Sequence, residues 1–118
     1  MRVLITGAAG LIGGILRRSL VGHELAGIDI KPNDEFSLEV CDISDLSSIR
    51  SAFEGADSVV HLAAIASSTA PWDSIINNNI IGTYNVLRLQ NKPELRGSCL
   101  LAQITLPVYT REIGLTQR

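Results

Sequence analysis

Gly7, Gly10 and Gly13 recur at three-residue spacing within Arg2-Val-Leu-Ile-Thr-Gly-Ala-Ala-Gly-Leu-Ile-Gly-Gly14. They follow a short apolar run, Val3 to Thr6, and overlap the start of an apolar helical pattern at Leu11, Ile12, Ile15, Leu16 and Leu20. Strand, glycine turn and helix in that order suit a dinucleotide pyrophosphate. The first glycine makes the tight turn, the second admits phosphates to the backbone, and the third lets helix and strand pack closely. The helix start adds unpaired N–H groups and a positive dipole end. A plain βα turn is the alternative, which glycines this dense in this setting disfavour. Asp29 follows Gly7 at close to the ~20-residue offset at which such folds place an acid for the adenosine ribose. A carboxylate there accepts from both ribose hydroxyls and repels a 2′-phosphate, so NAD is favoured over NADP. Lys31 works the other way, and a solvated turn acid is the less favoured alternative for Asp29.

Other reactive side chains have quieter readings. His61 sits in an apolar run with no metal partner near it and reads as a buried or rim histidine rather than a general base. Cys41 and Cys99 lack metal-site spacing and read as reduced core thiols. Taken alone, Asp42 and Asp45 are turn or helix-cap acids.

Bringing the glycines and Asp29 together requires parallel strands with helices between them. A first helix is expected from Leu11 to Leu20, stopped near Gly22, and a second strand from Glu24 to Ile30. Lys31 to Glu35 is turn chemistry, and Phe36 to Val40 reads as a third strand. Ser44 or Asp45 caps a helix over Leu46–Phe53, which Gly55 ends. Asp57 to Ala64 is a fourth strand running into small residues. Pro71-Trp72 then opens a long helix, with Gly82 allowing close helix-to-sheet packing. Three consecutive asparagines, Asn77 to Asn79, are poor helix formers and call for a local reason.

A chain of 118 residues holds one domain at most, and its 46% hydrophobic content with mean hydropathy +0.25 is that of a globular core. The net charge of −2, with both signs dispersed, points to no nucleic acid and no anionic membrane as partner. The N-terminal apolar run is too short for a signal segment, and a cytoplasmic setting is expected.

The segment Thr6-Gly7-Ala-Ala-Gly10-Leu-Ile-Gly13 resembles the fingerprint of the short-chain dehydrogenase/reductase superfamily, and within it the extended branch, the NAD-dependent epimerase/dehydratase family. The resemblance covers about residues 2–87. It implies an α/β fold: a three-layer Rossmann-type doubly wound parallel sheet, truncated after about four or five strands. It implies cofactor contacts at Gly7, Gly10, Leu11, Ile12, Gly13 and Asp29. Asp42 would accept from the adenine amino group and Ile43 would cover a ring face. Leu62, Ala63 and Ala64, in a His-Leu-Ala-Ala segment, would lie against the ribose and pyrophosphate. Ser67 and Ser68, in the following loop, would be substrate contacts, though ordinary loop serines are the plainer reading. The family's Asn-x-x-Gly-Thr-x-Asn-Val pattern falls at Asn79, Gly82, Thr83, Asn85 and Val86, with Asn79 near the active site. Pro71-Trp72 with the Asn-Ile-Ile-Gly-x-Tyr-Asn run is also similar to uronate dehydrogenases, which oxidise sugar acids.

Family members carry a later Tyr-x-x-x-Lys pair, in which the tyrosine acts as acid and base and the lysine lowers its pKa. Here Tyr84 is followed four positions on by Arg88, and Tyr109 by Ile113. A phenol near pKa 10 without a cation is a poor base at neutral pH. Residues 1–90 therefore read as the cofactor part of the domain and 91–118 as a divergent tail. The expected function is that of an NAD-binding epimerase, dehydratase or dehydrogenase acting on a sugar or nucleotide-sugar. The alternative is a catalytically incomplete dinucleotide-binding module, and a sheet edge left open would favour self-association.

Overall fold

The computed structural model describes residues 1–91 and 99–101. Arg2–Thr6 forms β1, whose inner residues are all buried, as a central parallel strand covered on both faces demands. Successive side chains point to opposite faces. Val3 and Ile5 join Ala8, Leu16, Leu20, Leu25 and Phe36 in one apolar cluster. Leu4 joins Ile28, Ile49, Phe53, Val59, Val86 and Leu89 in the other. Helix α1 (Leu11–Ser19) supplies the first cluster. The second is supplied by α2 (Leu46–Ile49), its 3₁₀ continuation Arg50–Phe53, and α4 (Gly82–Gln90). The sheet thus lies between two helical layers.

The remaining strands are β2 (Glu24–Asp29), β3 (Glu39–Val40), β4 (Ser58–His61) and β5 (Cys99–Leu101). Their spatial order is β3-β2-β1-β4-β5, and every pairing is parallel. The chain builds outward from β1 first to one side and then to the other. The doubly wound parallel sheet expected from the sequence is present, and the switch point between β1 and β4 is where such sheets open a crevice at their carboxyl ends.

Several boundaries differ from the sequence expectation. β3 is two residues long rather than five, because Phe36 and Leu38 leave the sheet plane to pack on the α1 side. There the Arg17 guanidinium lies 4.6 Å from the Phe36 ring centroid. Gly27 makes room, since a Cβ on it would lie 2.7 Å from both Phe36 and Ala8. The expected helix 46–53 begins as α-helix capped by Asp45, whose side chain accepts from the Ser47 amide, and then tightens to 3₁₀. β2 ends at Asp29 and β4 at His61. The long helix starts at α3 (Trp72–Ile75), widens to a π-helical segment at Ile76–Ile81 and resumes as α4. Gly82 packs against Ile43 rather than against a strand. Among the described residues no helix is long and apolar enough to cross a membrane. Tyr109 and most of the expected tail lie outside the described residues, as does the side chain of Cys99.

Candidate functional site

The glycine turn is fastened to the end of β2. The amides of Gly7 and Ala8 both donate to the Ile28 carbonyl, at 2.9 and 3.2 Å. Gly7 has φ +71°, and a Cβ there would lie 2.8 Å from the Ala63 nitrogen. A side chain would therefore be strained and would also strike the exit of β4. A Cβ on Gly13 would lie 2.6 Å from the Gly7 carbonyl, so only glycine lets α1 sit this close to the turn. Gly10 is the N-cap of α1, where no side chain caps the helix.

Asp29 ends β2 with both carboxylate oxygens engaged. Oδ2 accepts from the Ala9 amide at 2.9 Å and Oδ1 from the Lys31 amide at 3.1 Å. The acid thus holds the glycine turn in place while facing the same cleft. Ala9 carries no side-chain signal, and its part in the site is visible only through this bond.

At the exit of β4, His61 is buried between Thr6, 2.6 Å from Nδ1, and Thr83, 3.1 Å from Nε2. The Thr6 hydroxyl oxygen also accepts from the amides of Leu62 and Ala63, at 3.1 and 3.2 Å. Its own hydrogen is then directed to Nδ1, which fixes the neutral Nε2–H tautomer donating to Thr83. Burial pushes the imidazole pKa down to about 4, in keeping with a structural histidine. The result is a rigid start to the Leu62–Ala64 segment.

Two buried asparagines on the long helix grip the two loops beside the cleft. Asn79 in the π segment accepts from the Ile65 amide at 2.8 Å and donates to its carbonyl at 3.0 Å. Asn85 on α4 donates to the carbonyls of Ile43 (2.9 Å) and Ser44 (3.2 Å). The π segment is the local reason for the asparagine run. A wider turn admits Asn79 to the loop, and Asn78 satisfies the helix by donating to the Ser74 carbonyl at 2.8 Å.

These elements enclose a cleft of about 380 Å³. Of the residues singled out in the sequence, Gly7, Gly10, Asp29, Ile43, Leu62, Ala63 and Ala64 line it. So do Lys31, which weighed toward NADP in the sequence, and Ala9, Ile28, Ile30, Cys41, Ile65 and Asn78, which had no cofactor role in the sequence reading. Leu11 is 82% exposed and Ile12 is also exposed, both at the start of α1. Asp42 folds its Oδ1 onto the Ser44 amide and hydroxyl, a turn contact beside the cleft. Ser67 bonds Thr69 within an exposed loop, and Ser68 is exposed in the same loop. Tyr84 is 61% exposed, with the Arg88 guanidinium 5.8 Å from its ring centroid. Cys41 is partly buried, and burial together with the carboxylates of Glu39, Asp42 and Asp29 pushes its thiol up to about 11. It is a neutral thiol. Among the described residues no group of His, Cys, Asp and Glu could hold a metal ion.

The NAD dependent epimerase/dehydratase family matches residues 3–101. The L-arabinose 1-dehydrogenase (NAD(P)(+)) of Haloferax volcanii is 40% identical over 86 residues, 72% of this chain and 34% of that protein. A uronate dehydrogenase of Pseudomonas syringae is 33% identical over 92 residues, 72% of this chain and 33% of its own length. A mutant uronate dehydrogenase of Agrobacterium tumefaciens solved in complex with NAD superposes with a TM-score of 0.68 at 35% identity, covering 75% of this chain and 36% of that one. The UDP-glucose 4-epimerase of Thermus thermophilus, also solved with NAD, gives 0.68 at 28% identity, covering 76% and 33%. The chain spans about a third of the length of the curated relatives it matches.

Proposed function

The chain belongs to the NAD dependent epimerase/dehydratase family, and from that premise we propose that it binds NAD in the cleft between β1 and β4 and serves hydride transfer on a sugar or nucleotide-sugar. One observation carries the reading: Asp29, at the end of β2, accepts from the Ala9 amide of the glycine turn, so the ribose acid and the phosphate loop form one preordered unit. Gly7, Gly10 and Gly13, with the amides of Leu11 and Ile12, hold the pyrophosphate. Asp29 takes the adenosine ribose, Asp42 and Ile43 the adenine, and Leu62, Ala63 and Ala64 lie against the ribose and pyrophosphate. Ser67 and Ser68 offer hydroxyls to substrate, and Asn79 supports the loop that carries them. NAD supplies the hydride acceptor. This chain's residues bind and orient it. Residues 1–90 are the cofactor part and 91–118 a divergent tail. The setting is the cytoplasm, where reduced thiols such as Cys41 persist.

Titration of NAD and NADP by calorimetry tests the binding. Saturable NAD binding, tighter than NADP, is expected, and a folded protein that binds neither would end the reading. A second reading is a dinucleotide-binding module without turnover. Turnover on a panel of uronates and nucleotide sugars separates the two. Self-association through the sheet edge on the β4–β5 side is read by sedimentation.

A further inference from the structure

Ile43 is separated from α4 by about 40 positions, yet that helix receives it twice over. Its side chain fills the notch left by Gly82, where a Cβ would stand 2.5 Å from Ile43 Cδ1 and 2.6 Å from Cγ1. One turn along the same helix, the buried Asn85 amide donates to the Ile43 carbonyl and to the Ser44 carbonyl. The same Ile43, with Cys41, lines the cleft on the side of Asp29. Within the loop, Asp42 Oδ1 accepts from the Ser44 amide at 2.9 Å, and Ser48 Oγ donates to the Asp42 carbonyl at 3.0 Å. The loop is therefore knit within itself and held against α4 through Gly82 and Asn85. β3, which leads into it, is two residues long at the sheet edge, and the Cys41 amide carries its pairing one step further by donating to the Asp29 carbonyl at 2.9 Å.

From this juxtaposition we infer that Asn85, seated beside the Gly82 notch, is a positioning residue for the adenosine half of the cofactor site. It does not line the cleft itself and reaches the lining only through the Ile43 carbonyl. It acts by fixing the height of the Ile43 carbonyl, and so the Ile43 side chain, against the floor beyond Asp29. Asn79 makes the matching grip on Ile65, so one helix sets both walls of the cleft through two asparagines. The assignment rests on the dinucleotide reading above.

The experiment uses Asn85→Leu in the full protein, with NAD and ADP-ribose as probes and hydrogen exchange as a second readout. Loss of two hydrogen bonds predicts about a tenfold weakening. Because the loss falls in the half that the two ligands share, both weaken by the same factor. Exchange quickens at residues 42–45 and stays unchanged in β1 and α4, which a general loss of stability would not leave untouched. A folded variant that binds both ligands as the parent does overturns the assignment, as does one that loses NAD alone. A parent protein that binds neither ligand overturns the dinucleotide reading and the assignment together. Should Asn85→Leu not fold, Gly82→Ala decides. It touches no hydrogen bond, improves helix propensity and drives Ile43 from its notch, so ADP-ribose weakens while the helix persists. Unchanged ADP-ribose binding in that variant overturns the inference.

Discussion

At Asp29 a single carboxylate is shared between the chain's own backbone and the proposed ribose. Asp29→Ala removes the acceptor for the Ala9 amide as well as the charge, so NAD affinity falls by about 10- to 100-fold, the worth of a charged hydrogen bond. Asp29→Asn keeps an oxygen for Ala9 but loses the charge and the acceptor for the Lys31 amide, so it narrows the preference for NAD over NADP with less loss of NAD itself than Asp29→Ala. Parallel titrations of both variants with both cofactors check this, and an unchanged preference would move the ribose contact elsewhere. His61 makes a different prediction. Its folded pKa is about 4 against the ordinary 6.5, so between those values the unfolded chain takes up a proton that the folded chain refuses. Stability is therefore fully present above about pH 6.5 and is lost as the pH falls toward 4, by about 3 kcal/mol when complete. Melting at pH 7 and pH 4.5 reads the change, and nitrogen shifts in NMR should show the Nε2–H tautomer at pH 6.

The elements differ in how much of their geometry the sequence could declare. Gly13 and Gly14 look alike in sequence, but only Gly13 faces the turn. A Cβ at Gly13 would stand 2.6 Å from a carbonyl, whereas at Gly14 the nearest atoms are arginine side-chain nitrogens at 3.6 Å. Gly13→Ala should cost about 1–3 kcal/mol, while Gly14→Ala should be neutral or stabilising by up to about 1 kcal/mol. Urea unfolding distinguishes them. The strand–glycine–helix unit and Asp29 were legible because their chemistry is local. The Ala9 amide, the Thr6 hydroxyl on the Leu62 and Ala63 amides, and the two asparagine grips were not, since each joins segments far apart in the chain. β3 was overread because Phe36 and Leu38 are apolar for a reason other than strand pairing: they cover α1. The asparagine run announced an irregularity without saying that it was a π turn. Asn79→Ala leaves the Ile65 amide and carbonyl without their partners, so it should lower unfolding stability by about 1–3 kcal/mol, read from the urea midpoint.

Across the whole molecule, stability and ligand binding are linked. NAD at 100 times its dissociation constant should stabilise the fold by about 2.7 kcal/mol, raising the melting temperature, while NADP at the same concentration raises it less. Equal shifts would contradict the role given to Asp29. The fold class was the most legible property of all, because a buried parallel strand reads as an unbroken apolar run and the family pattern spans residues 3–101. The substrate is the least legible, since the two serines offered for it, Ser67 and Ser68, lie exposed in one loop.

The position of β1 in the middle of the sheet also has a bearing on how the chain acquires its structure. Its two neighbours arrive at different times: Arg2 pairs with Glu24, but Thr6 must wait for His61, 55 positions later. At a synthesis rate of about 5–20 residues per second, the β4 side of β1 stays uncovered for roughly 3–11 s after the strand is made. Parallel pairing over such a separation is also slow in itself. The central strand, whose Val3 to Thr6 are all buried in the folded protein, is thus the one exposed longest to the wrong partner.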